Sequence, residues 1–461
     1  MARLFISAAH KSSGKTTLSI GLAASLKARG QSLQVFKKGP DYIDPLWLAQ
    51  ASGRPVYNLD FNTQTPEEIS ALYASRQSPD GFNLIEGNKG LHDGVDVLGS
   101  DSSAALAKLL DAPVVLVIDA HGMTRGIAPL LMGYQVFDPA VNIAGVVLNQ
   151  VATARQESKL RAAIEAYTDI KVLGALPRSP AVIVKERHLG LTTPGDADGA
   201  LARIAAIRSA IETHVDISAL EAIGRTASRL ANVVLLPAAR PHAGLTIAVA
   251  RDEAFCFYYQ DDLEALEAAG ARLVEFSPLR DARLPDADAI LLGGGFPETH
   301  IAALSANAPM RNAIRDAANG GLPIHAECGG LMYLTRTLTH GALSGPMAGV
   351  IAADAVMQDR PQGRGLVVLE PKTGGAPVHA HEFHHGRLEN LAADTEFAWQ
   401  VKRGEGIDGK YDGIKINNVT ASFSHFRDTS RHHWTQEFLA LAAKVKQCRK
   451  PAKRNTLKAG R

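Results

Sequence analysis

Pro323-Ile-His-Ala-Glu-Cys-Gly-Gly-Leu-Met332 reads as a short apolar strand that runs into a Cys-Gly-Gly turn and then a helix. Such a corner pins one thiol at a strained position with backbone N–H groups beside it, which makes Cys328 a candidate nucleophile. Just upstream, Ala289-Ile-Leu-Leu-Gly-Gly-Gly-Phe-Pro-Glu298 ends a second strand in three glycines. With no side chain in the way, the N–H of Gly294 or Gly295, together with that of Gly329, can form an oxyanion hole for a thioester intermediate. The bland alternative is a tight strand-to-helix turn. A thiol needs a base near neutral pH. His425, in Val419-Thr-Ala-Ser-Phe-Ser-His-Phe-Arg427, follows a strand-like run, and His379, His381, His384 and His385 compete with it. A metal site is a weak reading of that cluster, because alternation along a strand sends His379 and His381 to one face and His384 to the other.

Outward from this corner the pattern is strand, helix, strand. Leu245–Ala250, Arg272–Phe276 and Ala289–Leu292 read as strands, with a helix over Gln260–Ala269 and another through Ala302–Asn319. Gly345 to Val419 is richer in glycine and alternation, which suggests antiparallel additions on a sheet edge. The first half repeats the logic: Leu4–Ala8, Leu33–Phe36, Asn83–Ile85, Val114–Ile118 and Ile143–Leu148 are apolar runs suited to buried strands. Helical patterns such as Thr17–Ala28 and Ser100–Leu110 separate them. The fold class is therefore α/β, with two doubly wound domains, 1–240 and 241–445, and a basic tail over 446–461 expected to be solvated.

A chain of 461 residues suffices for two large cores without metal or disulfide staples. Lys plus Arg (49) nearly balances Asp plus Glu (47), so no overall field favours nucleic acid or a membrane surface. Three cysteines, Cys256, Cys328 and Cys448, fit a reducing compartment rather than a disulfide framework. No apolar run reaches the about 18 residues a membrane span needs, and Met1–Ile6 leads straight into a strand, so a soluble, cytoplasmic protein is expected.

Ala9-His-Lys-Ser-Ser-Gly-Lys-Thr16 follows the first strand and opens a helix, the setting of a phosphate-binding loop. Ser12, Ser13, Gly14, Lys15, Thr16 and Thr17 would cradle a nucleotide: backbone N–H groups hold phosphate, Lys15 reaches the terminal phosphates, and the Thr16 hydroxyl ligates Mg²⁺. Ala9 stands where the common pattern has glycine, and a lysine at a helix cap by chance is the alternative. Lys38-Gly-Pro-Asp-Tyr-Ile-Asp-Pro45 and Leu84-Ile-Glu-Gly-Asn-Lys-Gly-Leu-His-Asp-Gly94 place Asp41, Asp44, Glu86 and Asp93 after strands of one sheet. They should converge on its carboxyl edge, where ligands and Mg²⁺ bind.

These segments, with Glu186-Arg-His-Leu-Gly-Leu191, resemble the signatures of the cobyrinic (hydrogenobyrinic) acid a,c-diamide synthase family over nearly the whole chain to about residue 430. The resemblance implies an N-terminal P-loop domain related to dethiobiotin synthetase and a C-terminal class I glutamine amidotransferase domain. It further implies that ATP and Mg²⁺ activate tetrapyrrole carboxylates as acyl phosphates, and that ammonia from glutamine, passed internally, turns them into amides. By the same resemblance Asp41, Tyr42, Glu86 and Asp93 serve metal, phosphate or substrate carboxylate, with Thr16 and Glu86 on the metal and Asp44, by its position, a further carboxylate for substrate or metal. Asn149 meets adenine, and His425 is the base for Cys328. Arg427 stands two places after His425, where relatives usually have a second histidine, so what orients His425 is left open.

The reading is a glutamine-dependent ligase acting on cobyrinate or hydrogenobyrinate. Asn88, Lys89, Gly122–Pro129 and Tyr167–Ile170 also resemble a subgroup that amidates sirohydrochlorin or sirohaem, which keeps that substrate as an alternative. A third reading is a P-loop switch ATPase with an inactive amidotransferase-like binding module. Against it, the deviant partitioning motif places a lysine five residues before Lys15, where this chain has His10. Glutamine and a tetrapyrrole are the expected partners, without nucleic acid or membrane, and a homodimer is compatible with the sequence.

Overall fold

The computed structural model of the protein describes residues 2–179, 186–187, 190–195, 199–228, 230 and 241–449. It divides into two units, Met1–Leu236 and Pro237–Arg461.

In the first unit, β1 (Ala2–Ala8), β2 (Leu33–Lys38), β3 (Tyr57–Leu59), β4 (Phe82–Glu86), β5 (Val114–Asp119), β6 (Ile143–Val151) and β7 (Val172–Pro177) form a sheet in the order β3-β2-β4-β1-β5-β6-β7. Every neighbouring pair is parallel. Helices cover the faces: α1 (Lys15–Ala28), α2 (Ile43–Ser52), α3 (Pro66–Arg76), α4 (Ser103–Leu109), α5 (Ile127–Phe137), α6 (Ala154–Tyr167), α7 (Ala200–His214) and α8 (Ile217–Arg225). Several start at side-chain caps, with Ser102, Thr153 and Asp216 accepting from the first amides of α4, α6 and α8. Thr65, Pro66 and Glu68 make a full capping box for α3, for instance. Because β1 lies between β4 and β5, the strand order reverses at its carboxyl end, and the crevice there is where such sheets bind ligands. Leu4, Phe5 and Ile6 of β1 are wholly buried, as a central strand covered on both faces requires. A short pairing of β8 (Glu186–Arg187) with β9 (Gly190–Leu191) falls in the Glu186–Leu191 segment.

In the second unit β10 (Thr246–Ala250), β11 (Arg272–Phe276), β12 (Ala289–Leu292) and β13 (Ile324–Glu327) alternate with α9 (Gln260–Ala268), α10 (Ile301–Ala306) and α11 (Ala308–Asn319). After the corner come α12 (Gly329–Leu334), β14 (Thr337–His340), β15 (Leu343–Pro346), β16 (Asp354–Met357), β17 (Gly363–Pro371), β18 (Val378–His384), β19 (Gly386–Glu389), β20 (Glu396–Arg403), β21 (Tyr411–Ile416), β22 (Val419–Ser422) and α13 (Trp434–Arg449). The main sheet runs β11-β10-β12-β13-β22-β21-β20-β17-β18, parallel through β22 and antiparallel beyond it. A separate four-stranded sheet has the order β15-β14-β16-β19.

Two expectations need correction. The single helix expected through Ala302–Asn319 is broken into α10 and α11, because Asn307 leaves the helix to cap α11 through Met310 N and Pro309 follows in its first turn. Residues 446–449 of the expected tail are helical, since α13 runs to Arg449 and Lys446 Nζ donates to Gly244 O and Asp288 Oδ2 at 2.7 Å each. Residues 450–461, and the boundary placed near residue 240, lie outside the described residues.

Candidate active sites

In the first unit the turn from β1 to α1 holds the expected phosphate loop. Gly14 caps α1 with φ 103° and no side-chain cap bond, so the first amides of the helix have no intrahelical acceptor. Only glycine suits this position: a Cβ there would also lie 2.2 Å from Asn149 Nδ2. Asn149, at the carboxyl end of β6, donates to Ser13 O at 2.9 Å, so its amide braces the loop. Ser13 Oγ donates to His10 O at 2.8 Å, Ser12 turns the chain at φ 63°, and Thr17 follows in the first helical turn. Lys15 Nζ donates to Lys89 O at 2.6 Å. Burial, helped by the nearby Lys37 ammonium, pulls Lys15 down to about 8.

Thr16 Oγ1 donates to Glu86 Oε1 at 2.7 Å and to Asp44 Oδ2 at 3.2 Å. Between these carboxylates sits Lys37, which sequence reasoning passed over just beyond the expected strand Leu33–Phe36. Its Nζ lies 2.6 Å from Asp44 Oδ2, 2.9 Å from Glu86 Oε1 and 3.7 Å from Asp41 Oδ2. Burial works against its charge, but Asp44, Glu86 and Asp41 outweigh burial and hold Lys37 protonated well above the ordinary lysine range. Burial likewise pushes Glu86 up against the pull of Lys37. The only sequence hint of Lys37 was its place beside Lys38 at the end of an apolar run. Asp41 also braces the start of α2 by accepting from Ile43 N and Asp44 N, and Tyr42 is the residue before that helix. Asp93 accepts from Gly90 N at 2.9 Å, which closes the loop whose Lys89 carbonyl holds Lys15.

The second unit builds the thiol corner. Cys328 precedes α12 with φ 46° and ψ −98°, a strained conformation for a residue with a side chain. It is fixed by Cys328 N to Ser422 O at 2.7 Å and Met332 N to Cys328 O at 3.0 Å. Burial, with the Glu298 carboxylate nearby, pushes the thiol far up, and the Gly329 N–H opposes this. Gly294, Gly295 and Gly329 meet here. A Cβ on Gly329 would lie 3.0 Å from Gly295 N, and one on Gly294 would lie 2.5 Å from His425 Cε1. The expected oxyanion glycines, the nucleophile corner and His425 therefore share one small site.

His425 follows β22, in a turn tied down by Asp412, which accepts from Phe423 N and Ser424 N. His425 and His381 exchange backbone hydrogen bonds and stack with centroids 4.9 Å apart at 15°. On the side of its Nδ1 stands Glu327 Oε2, 3.4 Å away. Burial would raise the Glu327 carboxyl, but hydrogen bonds from His325 and His425 outweigh it and hold the group at about 2. Arg427 plays a different part: its Nη2 and Nε donate to Asp261 Oδ2 at 2.7 and 3.1 Å, pinning the segment to the first turn of α9. The other histidines disperse. His384 stacks on Phe423 at 3.9 Å and bonds Gly386 O, and His385 bonds Gln358 O. No group of three or more His, Cys, Asp or Glu arranged to hold a metal occurs among the described residues.

Residues 5–191 match the model of the CobQ/CobB/MinD/ParA nucleotide-binding domain, and residues 246–432 that of the CobB/CobQ-like glutamine amidotransferase domain. The chain is 43% identical over 452 residues to a cobyrinate a,c-diamide synthase of Magnetococcus marinus, covering 95% of this chain and 96% of that one. It belongs to the a,c-diamide synthase family. A cobyrinate a,c-diamide synthase of Methanosarcina acetivorans is 37% identical, with 97% of each chain covered. A hydrogenobyrinate a,c-diamide synthase of Brucella anthropi is 40% identical, with 93% of this chain and 99% of that one covered. Family membership gives the two units their classes, a P-loop nucleotide-binding unit and a glutamine amidotransferase unit, and both thiol corner and phosphate loop fall inside the matched residues.

Proposed function

We propose that this chain uses ATP and glutamine to amidate the a and c acetate side chains of cobyrinate or hydrogenobyrinate. Likeness along the full length to enzymes bearing that name carries the reading. In the second unit His425 takes the proton of the Cys328 thiol as sulfur attacks the glutamine amide carbon. The oxyanion is met by N–H groups of Gly329 and of Gly294 or Gly295. Collapse breaks the C–N bond, His425 returns the proton to the leaving ammonia, and water then hydrolyses the glutamyl thioester to glutamate and free thiol.

In the first unit a substrate carboxylate oxygen attacks the γ-phosphorus of ATP, releasing ADP and forming an acyl phosphate. Ammonia then displaces phosphate from the acyl carbon. Lys15 and the loop amides stabilise the phosphates, and Lys37 pairs with Asp44 and Glu86 and holds them in place. The donor set fits Mg²⁺: Glu86 Oε2 is buried without a hydrogen-bond partner beside the Thr16 hydroxyl, and these hard oxygens suit a cation completed by phosphate and water. Thr16 and Glu86 would hold Mg²⁺, which would supply positive charge to the phosphoryl oxygens. Asp41, Tyr42, Asp44 and Asp93 line the same end of the sheet as groups for substrate or metal.

The test is direct. Incubated with ATP, Mg²⁺, glutamine and cobyrinate or hydrogenobyrinate, the protein should yield a product in which two OH groups are replaced by NH₂, read by mass spectrometry. Lys15→Ala should abolish that product with glutamine or ammonia as nitrogen source. Full turnover by this variant would remove the phosphate loop from the reaction.

A further inference from the structure

The thiol corner contains a carboxylate that the reaction above leaves without a task. Class I amidotransferase chemistry asks for a group behind the catalytic imidazole, because a histidine serves as base only while its other nitrogen is protonated and held. Arg427, two residues after His425, does not supply it, being committed to Asp261. Glu327 stands instead on the last position of β13, one residue before the nucleophile, and its Oε2 is 3.4 Å from His425 Nδ1. Its other oxygen is occupied: Oε1 accepts from Phe426 N at 3.1 Å and pairs with His325 Nε2 at 3.0 Å. His325 is itself held flat against Trp434, with centroids 4.6 Å apart at 19°. Glu327 is 7% exposed and His425 2%, so their attraction is little weakened by water.

Strand alternation explains how this arises. His325 and Glu327 are two apart on β13 and therefore share a face, which meets Phe426 after β22, the parallel neighbour of β13. Cys328 leaves the strand at the strained corner, which lets residues 327 and 328 both serve one site.

We propose that Glu327 is the positioning residue for His425, holding Nδ1–H so that Nε2 is the nitrogen that exchanges a proton with Cys328, and that His325 in turn fixes Glu327. This deepens the reading of Cys328 and His425 as nucleophile and base and rests on it. Placing the acid immediately before the nucleophile leaves position 427 free to become an anchor.

The experiment follows glutamate release by the full-length protein with ATP, Mg²⁺ and cobyrinate present. Glu327→Gln keeps an oxygen for Phe426 N but turns an amide NH₂ toward Nδ1, which selects the wrong imidazole tautomer. The expected result is a kcat lowered about 100-fold or more with KM for glutamine within about threefold of wild type. His325→Phe keeps the stack on Trp434 but removes the bond to Glu327, and should lower kcat about tenfold, again at constant KM. A retained KM shows that the corner is folded in each variant. Wild-type kcat in Glu327→Gln, or a loss confined to KM, overturns the proposal while leaving Cys328 as nucleophile. Normal glutamate release by Cys328→Ser overturns the underlying reading, and the proposal with it.

Discussion

Lys37 and Glu86 form an ion pair of 2.9 Å in which the side chains are 2% and 0% exposed. Asp44 Oδ2 closes on the same ammonium at 2.6 Å and Thr16 donates to both carboxylates, so one cation lies between two carboxylates at the mouth of the phosphate loop. In a site with so little water, each charge is tolerable only because the others are present.

Lys37→Met should therefore destabilise the first unit by about 3–5 kcal/mol, the usual cost of leaving a buried charge without its partner. Urea or thermal unfolding of the full chain should show an earlier transition, and amidation with either nitrogen source should be lost. Unchanged unfolding would mean that Glu86 and Asp44 find another cation in the ligand-free protein.

Gly14→Ala tests the loop through geometry. The new methyl would meet Asn149 Nδ2 at 2.2 Å at a position with φ 103°, so nucleotide binding should weaken at least about tenfold, the equivalent of about 1.4 kcal/mol. Adding Asn149→Ala removes the clash but not the backbone strain, so the double variant should recover part of the affinity. Fluorescent nucleotide titration distinguishes these outcomes, and wild-type affinity in Gly14→Ala would move the nucleotide elsewhere.

Cys328→Ser should lose glutamine-supported amidation and keep ammonia-supported amidation, because only the former uses the thiol corner. The thiol itself rests protonated, given how far burial pushes it up. Iodoacetamide at neutral pH should therefore label exposed Cys448 well before Cys328, as peptide mass mapping would show. Labelling of Cys328 first would mean that the resting site already holds a thiolate.

The elements that the sequence specified most sharply were those with one dominant local signal. Arg272–Phe276 mixes charged and apolar residues and Ala289–Leu292 is a short apolar run ending at Gly293, and both strands keep the bounds expected of them. Gly14-Lys15-Thr16 announces itself because glycine suits the positive φ at Gly14, and Cys328-Gly329-Gly330 because a Cβ on Gly330 would lie 2.3 Å from Leu292 O. Asn307 and Pro309 carried a capping signal that a continuous apolar period concealed, which is why two helices read as one. Lys37, Glu327, His325 and His381 were harder. Each lies within a strand, where charge or an imidazole looks like an interruption of the pattern, and each acquires meaning only from a residue distant in sequence: Glu86, His425, Trp434 and Tyr259 respectively. Arg427 shows the converse, a departure in a familiar motif that becomes intelligible once Asp261 is seen beneath it.

His432 predicts how the second unit responds to acid. Its ring packs edge-on against Phe426 at 5.2 Å, and burial, with repulsion from His325, pulls it from 6.5 down to about 4. The unfolded chain therefore binds a proton between those values that the folded chain refuses. This group's effect on stability is nil above about pH 6.5 and becomes a penalty as pH falls toward 4. His432→Phe, which keeps the ring contact and removes the buried Nδ1 that lacks a partner, should be more stable than wild type at pH 5 by about 1–2 kcal/mol. At pH 8 ionisation should contribute no difference. Urea titrations at the two pH values decide it, and an equal offset at both would assign the effect to packing instead of protonation.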